Sequence, residues 1–208
     1  MKAYRTEQEH FWAGDFGDDY AARNRGAGLT ASNLAMFAEI LSYTVSVGSV
    51  IELGANIGLN LQAIRLLLPE TELSAVEINK RAVDELGLLD NKIRIYHKSV
   101  LDFSPDYKRD FVFTKGVLIH IDPARLPDVY DLLYRGSKRY ICIAEYYNPK
   151  PVSIPYRGHE DKLFKRDFAG EILDRFGDLK LVKYGFVYHR DVNFPQDDIF
   201  WFLFEKGM

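Results

Sequence analysis

The sequence contains only one cysteine, Cys142, in 208 residues. A single thiol cannot form a disulfide within the chain, so a disulfide-stabilised fold is excluded and a reducing cytoplasm is the expected location. No apolar run approaches the roughly 20 residues that span a bilayer, which argues against a membrane protein. The segment Met1–Glu7 is polar and differs from a secretory signal peptide.

Positive charge is not in excess either. The 27 Lys and Arg residues are outnumbered by 30 Asp and Glu residues, and the formal net charge is −3. DNA or RNA is therefore not expected as a partner. His10, His97 and His189 stand apart from cysteine and from acidic clusters in the sequence, so we expect no metal site.

The composition that remains is that of an ordinary globular chain, 47% hydrophobic and 27% charged. A chain of this length predicts one domain, residues 1–208, with a sizeable core. Phenylalanine and tyrosine are plentiful, with 14 and 13 residues. Such aromatic content suits a small-molecule pocket, or simply an aromatic core.

Residues 50–61, VIELGANIGLNL, combine a short apolar run, a turn of small residues and the start of a helical pattern. This order predicts a strand, a glycine turn and a helix whose free N–H groups can bind an anionic ligand group. Gly54 can adopt positive φ without a Cβ penalty, and Asn56 tolerates a left-handed conformation. Gly58 opens the helix, and Glu52 can hold a ligand amino group or pin the turn.

The second predicted strand, Glu72–Ile78, brings Glu77 to its carboxyl end. An acidic residue about 20 positions after the glycines suits hydrogen bonds to a ribose diol. This spacing serves both NAD and S-adenosylmethionine (SAM). A dinucleotide loop reads G-x-G-x-x-G, whereas this loop reads E-x-G-x-N-x-G and lacks the third glycine. The missing glycine argues against NAD, and the loop resembles motif I of class I SAM-dependent methyltransferases in its G-x-N-x-G variant.

Strands and helices alternate along the rest of the chain. Further strands are predicted at 93–98, 111–116, 140–145, 179–188 and 198–205, and helices at 30–47, 79–86, 122–135 and 166–176. The first of these helices is expected to be capped by Thr30 or Ser32, and the second by Asn79. The alternation predicts an α/β fold, a three-layer αβα sandwich around a mostly parallel sheet. In such a sheet, ligands bind outside the carboxyl ends of the strands.

Two segments lack a regular pattern. Residues 1–30 contain Trp12 and Tyr20 near a glycine joint, and they predict either a helical lid over a ligand or a hydrophobic cap on the sheet edge. Residues 146–165 contain three prolines and predict a long polar loop. Loops of that length in a compact domain are usually functional or disordered, and we interpret this one as an acceptor-binding loop.

The chain resembles class I SAM-dependent methyltransferases over about residues 30–205. The similarity lies in ELGANIG at 52–58, in Glu77 and in KGVLIHI at 115–121. The block FWAGDFGDDYAARN at 11–24 is similar to the pseudaminic-acid-biosynthesis-associated methylases, a bacterial family linked to nonulosonic acid sugars. The resemblance implies a SAM cofactor, a Rossmann-like sheet of seven strands with one antiparallel strand, and methyl transfer to a sugar-derived acceptor.

The resemblance also assigns residues to the methionine and ribose parts of the cofactor. Glu52, Gly54, Asn56 and Gly58 would line the methionine end. Glu77 would bind the ribose hydroxyls, which agrees with the position of this residue at the end of its strand.

The adenine and the methionine amine are assigned in the same way. Ile78 would lie against the adenine, and Ser99 and Val100 would lie at its edge. Many relatives have an acidic residue where Ser99 stands, so the adenine contact differs here. Asp102, three residues on, is either a substitute for that residue or part of a solvated turn. Lys115 would contribute its backbone carbonyl near the methionine amine.

His120 and Glu145 are the candidate catalytic residues. A hydroxyl or ammonium acceptor must lose a proton, and a histidine just past the fourth strand is a natural base at neutral pH. Alternatively, His120 is structural and anchors the helix at Asp122. Glu145 ends the fifth strand, where it could orient His120 or bind an acceptor amine; the alternative is a loop anchor.

The acceptor is expected to be a small acidic or amino sugar. Tyr156 offers an aromatic face beside Arg157, with His159 in the same loop, and this set suits a sugar ring that carries a carboxylate. Trp12 and Tyr20 would close the site from the other side. For residues 146–165, the alternative is a solvated loop of mixed charge.

Two other functions are the alternatives to a methyltransferase. One is a nicotinamide-dependent oxidoreductase, and the other is a non-catalytic SAM- or sugar-binding pathway partner.

Overall fold

The computed structural model describes residues 4–207, apart from the side chain of Ala27. Residues 1–3 of the predicted N-terminal lid, and Met208, lie outside this description. The helices are α1 (Glu7–Ala13), α2 (Asp15–Arg23), α3 (Ala27–Ser42), α4 (Leu59–Leu67), α5 (Lys80–Leu89), α6 (Leu126–Gly136) and α7 (Phe168–Arg175). The strands are β1 (Ser49–Leu53), β2 (Glu72–Glu77), β3 (Arg94–His97), β4 (Arg109–Lys115), β5 (Ser137–Glu145), β6 (Val152–Tyr156), β7 (His159–Lys165), β8 (Leu179–Val187) and β9 (Ile199–Lys206).

The main sheet has seven strands in the order β3-β2-β1-β4-β5-β9-β8. Strand β9 is antiparallel to both β5 and β8, whereas the pairs from β3 to β5 are parallel. The predicted sheet with one antiparallel strand is therefore confirmed. The strand order reverses between β1 and β4, and ligands bind at this point in open α/β sheets.

Each face of the sheet has its own core. Alternate residues of a strand point to opposite faces, so Ile51 packs with α6 and α7 while Val50 packs with α3 and α4. The two cores confirm the predicted three-layer αβα arrangement. Within the described residues, no helix is both long enough and apolar enough to cross a membrane.

Helix α3 differs from the prediction at both ends. It begins at Ala27 after Gly26 and ends at Ser42, and neither Thr30 nor Ser32 caps it. The hydroxyl of Thr30 instead donates to Gln62 Oε1 at 3.3 Å. The helix therefore starts one turn earlier than the capping signals indicated.

The predicted 146–165 loop is wrong, because most of it forms the antiparallel hairpin of β6 and β7. Arg157 and Gly158 make its two-residue turn with φ of 50° and 85°, as tight hairpin turns require. Pro155 lies at a shift in strand register, where no ladder hydrogen bond is needed from its nitrogen. The three prolines of this segment suggested a loop, but Pro155 lies at an irregular position within a strand.

Two local predictions are confirmed. Residues 7–23 form two short helices that join at Gly14. Asn79 caps α5, because its side chain accepts a hydrogen bond from Ala82 N at 2.9 Å. Helices α1 and α2, called the N-terminal helix pair below, lie next to the start of α5 and cover the carboxyl ends of the strands.

Candidate active site

A cavity of about 590 Å³ lies outside the carboxyl ends of β1, β2 and β4, at the point where the strand order reverses. This volume is typical of small-molecule sites. The N-terminal helix pair forms one wall and the β6–β7 hairpin contributes another part. Sequence-predicted residues on the cavity wall are Trp12, Tyr20, Gly54, Asn56, Glu77, Ile78, Ser99, Val100, Lys115, His120, Tyr156 and Arg157.

The turn after β1 adopts the predicted backbone conformation. Gly54, Asn56 and Gly58 have φ of 79°, 48° and 83°. A Cβ on Gly54 would lie 2.5 Å from Val117 Cγ2, so this glycine is needed for close packing as well as for its backbone angle. A Cβ on Gly58 would lie 2.1 Å from Leu86 Cδ1, and Gly58 is not on the cavity wall.

Glu52 lies beneath the turn rather than on the cavity wall, and its side chain has no exposed surface. Asn60 Nδ2 donates to its Oε1 at 2.6 Å, while Oε2 has no partner among the described residues. Burial raises the pKa of Glu52 to about 8, opposed by Asn60 and Lys115. Of its two predicted roles, the geometry favours pinning the turn to α4.

Glu77 is buried on the cavity wall at the end of β2. Its Oε2 accepts from Asn56 N and its Oε1 accepts from Asn79 N, both at 2.7 Å. Burial raises the pKa of Glu77, and these backbone hydrogen bonds oppose the rise. The carboxylate is therefore held in one orientation before any ligand binds.

The predicted adenine residues converge on one side of the cavity. Ile78 follows β2, and Ser99 and Val100 follow β3. The hydroxyl of Ser99 accepts from Leu101 N at 3.1 Å and is almost wholly buried. This hydrogen bond shapes the loop and leaves the hydroxyl proton of Ser99 able to donate.

The side chain of Lys115 reaches the cavity wall. Its Nζ donates to Asn33 Oδ1 at 3.1 Å. Burial lowers the pKa of Lys115, while the charges of Glu52, Asp197 and Glu145 oppose this effect. The resemblance to methyltransferases implied a role only for the backbone carbonyl of Lys115.

His120 lies on the cavity wall between two aromatic rings. Its centroid is 4.5 Å from that of Trp12 and 4.9 Å from that of Tyr156. Its Nδ1 lies 2.5 Å from the carbonyl oxygen of Lys162, and because a carbonyl only accepts, Nδ1 carries the proton. Burial lowers the pKa of His120 to about 4, so the ring is neutral at pH 7 and Nε2 has a free lone pair.

Among the described residues, the carboxylate of Glu145 makes no hydrogen bond to the ring of His120, which it was expected to orient. Its carboxylate accepts hydrogen bonds from the backbone N–H groups of Val117 and Leu118 at 3.0 Å and of Ile119 at 3.5 Å. Burial raises the pKa of Glu145 to about 7, and these N–H groups oppose the rise. Glu145 is not on the cavity wall, so the geometry supports the loop anchor that was its alternative role.

His159 does not reach the cavity, which corrects its placement among the substrate-binding residues. Its ring packs against Phe11 and Phe16, with centroids 4.9 Å and 5.7 Å away. Tyr156 and Arg157 remain on the cavity wall.

Several polar residues of the site were not predicted from the sequence. The loop between β8 and β9 brings Gln196 and Asp197 to the cavity, where Tyr146 Oη donates to Asp197 Oδ2 at 2.8 Å. Gln196 Nε2 donates to the carbonyl of Ser32 at 2.8 Å, and its Oε1 is buried without a partner among the described residues. No local pattern marks this loop as part of a site.

His189, which also lines the cavity, pairs with an acidic residue. His189 Nδ1 lies 2.8 Å from Asp198 Oδ1, so this histidine does have an acidic neighbour that the linear sequence concealed. Within residues 4–207, no group of three or more His, Cys, Asp or Glu side chains is arranged to hold a metal ion.

Comparison with models of known protein families finds no match. Comparison with curated protein sequences also finds none.

Solved structures share this fold. A SAM-dependent methyltransferase of Leishmania major has a TM-score of 0.71 at 12% identity, covering 96% of this chain and 81% of its own. The 1,6-didemethyltoxoflavin-N1-methyltransferase of Burkholderia thailandensis, with bound 1,6-didemethyltoxoflavin and S-adenosylhomocysteine, has a TM-score of 0.71 at 11% identity, covering 100% and 94%. Magnesium protoporphyrin IX methyltransferase of Synechocystis, with bound SAM, has a TM-score of 0.67 at 12% identity and covers both chains completely. At these identities the comparisons establish the Rossmann-like fold of such methyltransferases.

Proposed function

We propose that this protein is a SAM-dependent methyltransferase that acts on an oxygen or nitrogen atom of a small molecule. One observation carries the proposal: the same cavity is lined by Gly54 and Asn56 of the turn after β1, by Glu77 and by His120. Gly54, Asn56 and Glu77 suit a nucleoside cofactor, and His120 suits removal of a proton from an acceptor. The structural neighbours that contain SAM or S-adenosylhomocysteine support the cofactor.

The residues of the cavity fit SAM. The preoriented carboxylate of Glu77 would accept hydrogen bonds from the ribose hydroxyls, and Ile78 and Val100 would contact the adenine. The buried oxygens Asn60 Oδ1 and Gln196 Oε1, which have no partner among the described residues, are suited to the ammonium group of the methionine part. Gly54 lets the backbone approach the ligand closely.

Bound SAM supplies an electrophilic methyl group. The chain must then hold an acceptor in line and take up its proton. The Lys162 carbonyl fixes the proton of His120 on Nδ1, so Nε2 is the nitrogen that accepts a proton. Glu145 acts indirectly, because it holds the 117–119 backbone that leads into His120.

For the acceptor, we propose a small acidic or amino sugar of the nonulosonic type, methylated in the bacterial cytoplasm during the biosynthesis or modification of pseudaminic-type sugars. Support comes from the resemblance of residues 11–24 and from the position of Arg157 beside the Tyr156 ring, 5.9 Å from its centroid. A guanidinium can bind a carboxylate in two hydrogen bonds, and an aromatic face suits a sugar ring. Trp12 and Tyr20 complete an aromatic enclosure around that region.

The test has a binding stage and a transfer stage. Calorimetry should show binding of SAM and S-adenosylhomocysteine, and Glu77→Ala should weaken it by about 1.5–3 kcal/mol, the range for hydrogen bonds to charged groups. Glu70→Ala, at an exposed position distant from the cavity, is the control. A wild-type protein that binds NADH but neither SAM nor S-adenosylhomocysteine would refute the proposal.

In the transfer stage, SAM and the protein are incubated with sugar acids, amino-sugar precursors, small phenols and nucleic acids. Mass spectrometry should detect one added methyl group on a sugar. Arg157→Ala should raise the KM for that acceptor more than it changes SAM binding. Methylation of a phenol alone would refute the sugar assignment while leaving the methyltransferase assignment intact.

A further inference from the structure

The carboxylate of Glu9, in α1, has one oxygen that the fold does not use. Oε2 accepts from Arg5 N at 2.7 Å and from Thr6 N at 3.0 Å, which forms the capping box of α1. Oε1 is buried and has no hydrogen-bond partner among the described residues. Glu9 is only 5% exposed, yet it lies on the cavity wall. Capping explains Oε2 but not why Oε1 is held out of water.

The anchors of α1 locate Glu9 within the cavity. At the start of the helix, Arg5 Nη2 lies 2.7 Å from Asp102 Oδ1, in the loop that follows β3. Near its end, the carbonyl of Trp12 accepts from Asn79 Nδ2 at 3.3 Å, at the end of β2. Glu9 lies between these two contacts. It therefore covers the groove between the ends of β2 and β3, where Ile78 and Val100 line the cavity.

This groove otherwise has little to offer a polar base edge. The side chains of Ile78 and Val100 are apolar, and the Ser99 oxygen already accepts a hydrogen bond from Leu101 N. A buried carboxylate oxygen without a donor is costly, so a ligand group that donates a hydrogen bond would be strongly favoured beside it. The exocyclic amine of adenine is such a donor.

We propose that Glu9 Oε1 accepts a hydrogen bond from the 6-amino group of the cofactor's adenine, so that the N-terminal helix pair itself recognises the base. The inference rests on the proposed function, because it requires SAM in this cavity. Trp12 lies one helical turn after Glu9 and contacts His120. Recognition of adenine through Glu9 therefore also positions one wall of the acceptor site.

The experiment measures calorimetric dissociation constants for S-adenosylhomocysteine and two analogues. One analogue has hydrogen at purine position 6, and the other has a 6-oxo group. Wild-type protein should bind S-adenosylhomocysteine at least about tenfold more tightly than either analogue, tenfold being 1.4 kcal/mol. Glu9→Ala should lose about tenfold for S-adenosylhomocysteine and little for the 6-hydrogen analogue.

Glu9→Gln gives a sharper result because it preserves the cap. Its amide oxygen stays on the N–H groups of Arg5 and Thr6, which turns the NH₂ group toward the base. Two donors then face each other in the S-adenosylhomocysteine complex, whereas a 6-oxo group accepts. The variant should therefore prefer the 6-oxo analogue. Glu7→Gln, an exposed position in the same helical turn, should retain the wild-type preference.

The outcomes separate this inference from the proposed function. If wild-type protein binds none of the three ligands, the proposed function fails. If it binds all three equally, or if Glu9→Gln binds them in the wild-type order, Glu9 does not recognise the base. Equal losses for every ligand in Glu9→Ala, with the wild-type order in Glu9→Gln, would assign Glu9 to the helix cap alone.

Discussion

The ring of Trp12, in the N-terminal helix pair, lies over the imidazole of His120, with centroids 4.5 Å apart. This contact joins the first helix of the chain to the residue that we place next to the transferred methyl group. It also removes water from the imidazole, and burial is the main cause of the low pKa of His120. The helix pair thus sets the protonation behaviour of a residue far away in sequence.

Trp12→Ala should raise the pKa of His120 from about 4 toward the ordinary value of 6.5, because water regains access to the ring. An NMR titration of the histidine ring resonances measures this change. Phe11→Ala is the matched control, since Phe11 packs against His159 rather than His120. An unchanged pKa in Trp12→Ala would show that other residues keep water from the imidazole.

His120→Gln should reduce methyl transfer by about 10²–10⁴-fold, the usual contribution of a general base, with nearly unchanged affinity for S-adenosylhomocysteine. His159→Gln should stay within a few-fold of wild type, because its ring lies outside the cavity. Single-turnover rates and calorimetry measure the two quantities. Equal rates of methyl transfer in both variants would show that His120 is structural and is not the general base.

The contribution of His120 to the free energy of unfolding should fall as the pH is lowered from 6.5 to 4. In that window the unfolded chain binds a proton at His120 that the folded protein excludes, a difference on the order of 3 kcal/mol. Glu52 and Glu145 act in the opposite direction, because their raised pKa values favour proton uptake by the folded state. The free energy of unfolding should therefore be compared between wild type and His120→Gln at each pH. A constant difference would contradict the depressed pKa.

Glu145→Gln should lower the free energy of unfolding by about 1–3 kcal/mol, because one amide oxygen cannot serve the N–H groups of residues 117–119 as a carboxylate does. Methyl transfer should fall in parallel through displacement of His120. Urea unfolding and rate measurements test both effects. A rate loss without a loss of stability would instead favour a direct catalytic role.

Gly54→Ala should destabilise the protein by about 1–3 kcal/mol, the cost of a strained backbone conformation, and by more if the clash with Val117 persists. Val117→Ala in the same chain removes the methyl group that lies 2.5 Å from the new Cβ. The double variant should regain the stability that the clash costs, but not the stability that the strained backbone costs. If Val117→Ala restores no stability to Gly54→Ala, a clash between these two positions is not the cause of the loss.

The sequence by itself determined the features that depend on neighbouring residues. The apolar run, turn and helix around Gly54 are local, as is the cap that Asn79 provides for α5, and both were predicted. The alternation of strands and helices gave the sheet, and parallel strands then bring the ends of β1, β2 and β4 to one edge. The positions of Gly54, Glu77 and His120 near one cavity follow from that topology.

Only the tertiary structure decided which way the side chains at that edge point and what covers them. Glu145 ends its strand at the expected place, yet three backbone N–H groups draw its carboxylate away from the cavity. Arg157 and His159 lie two residues apart in the β6–β7 hairpin, yet Arg157, in the turn with φ of 50°, lines the cavity, whereas the ring of His159 packs on Phe11 of the helix pair. Trp12 meets His120 because helix α1 docks between the ends of β2 and β3. Such contacts depend on packing between distant segments, which no local periodicity records.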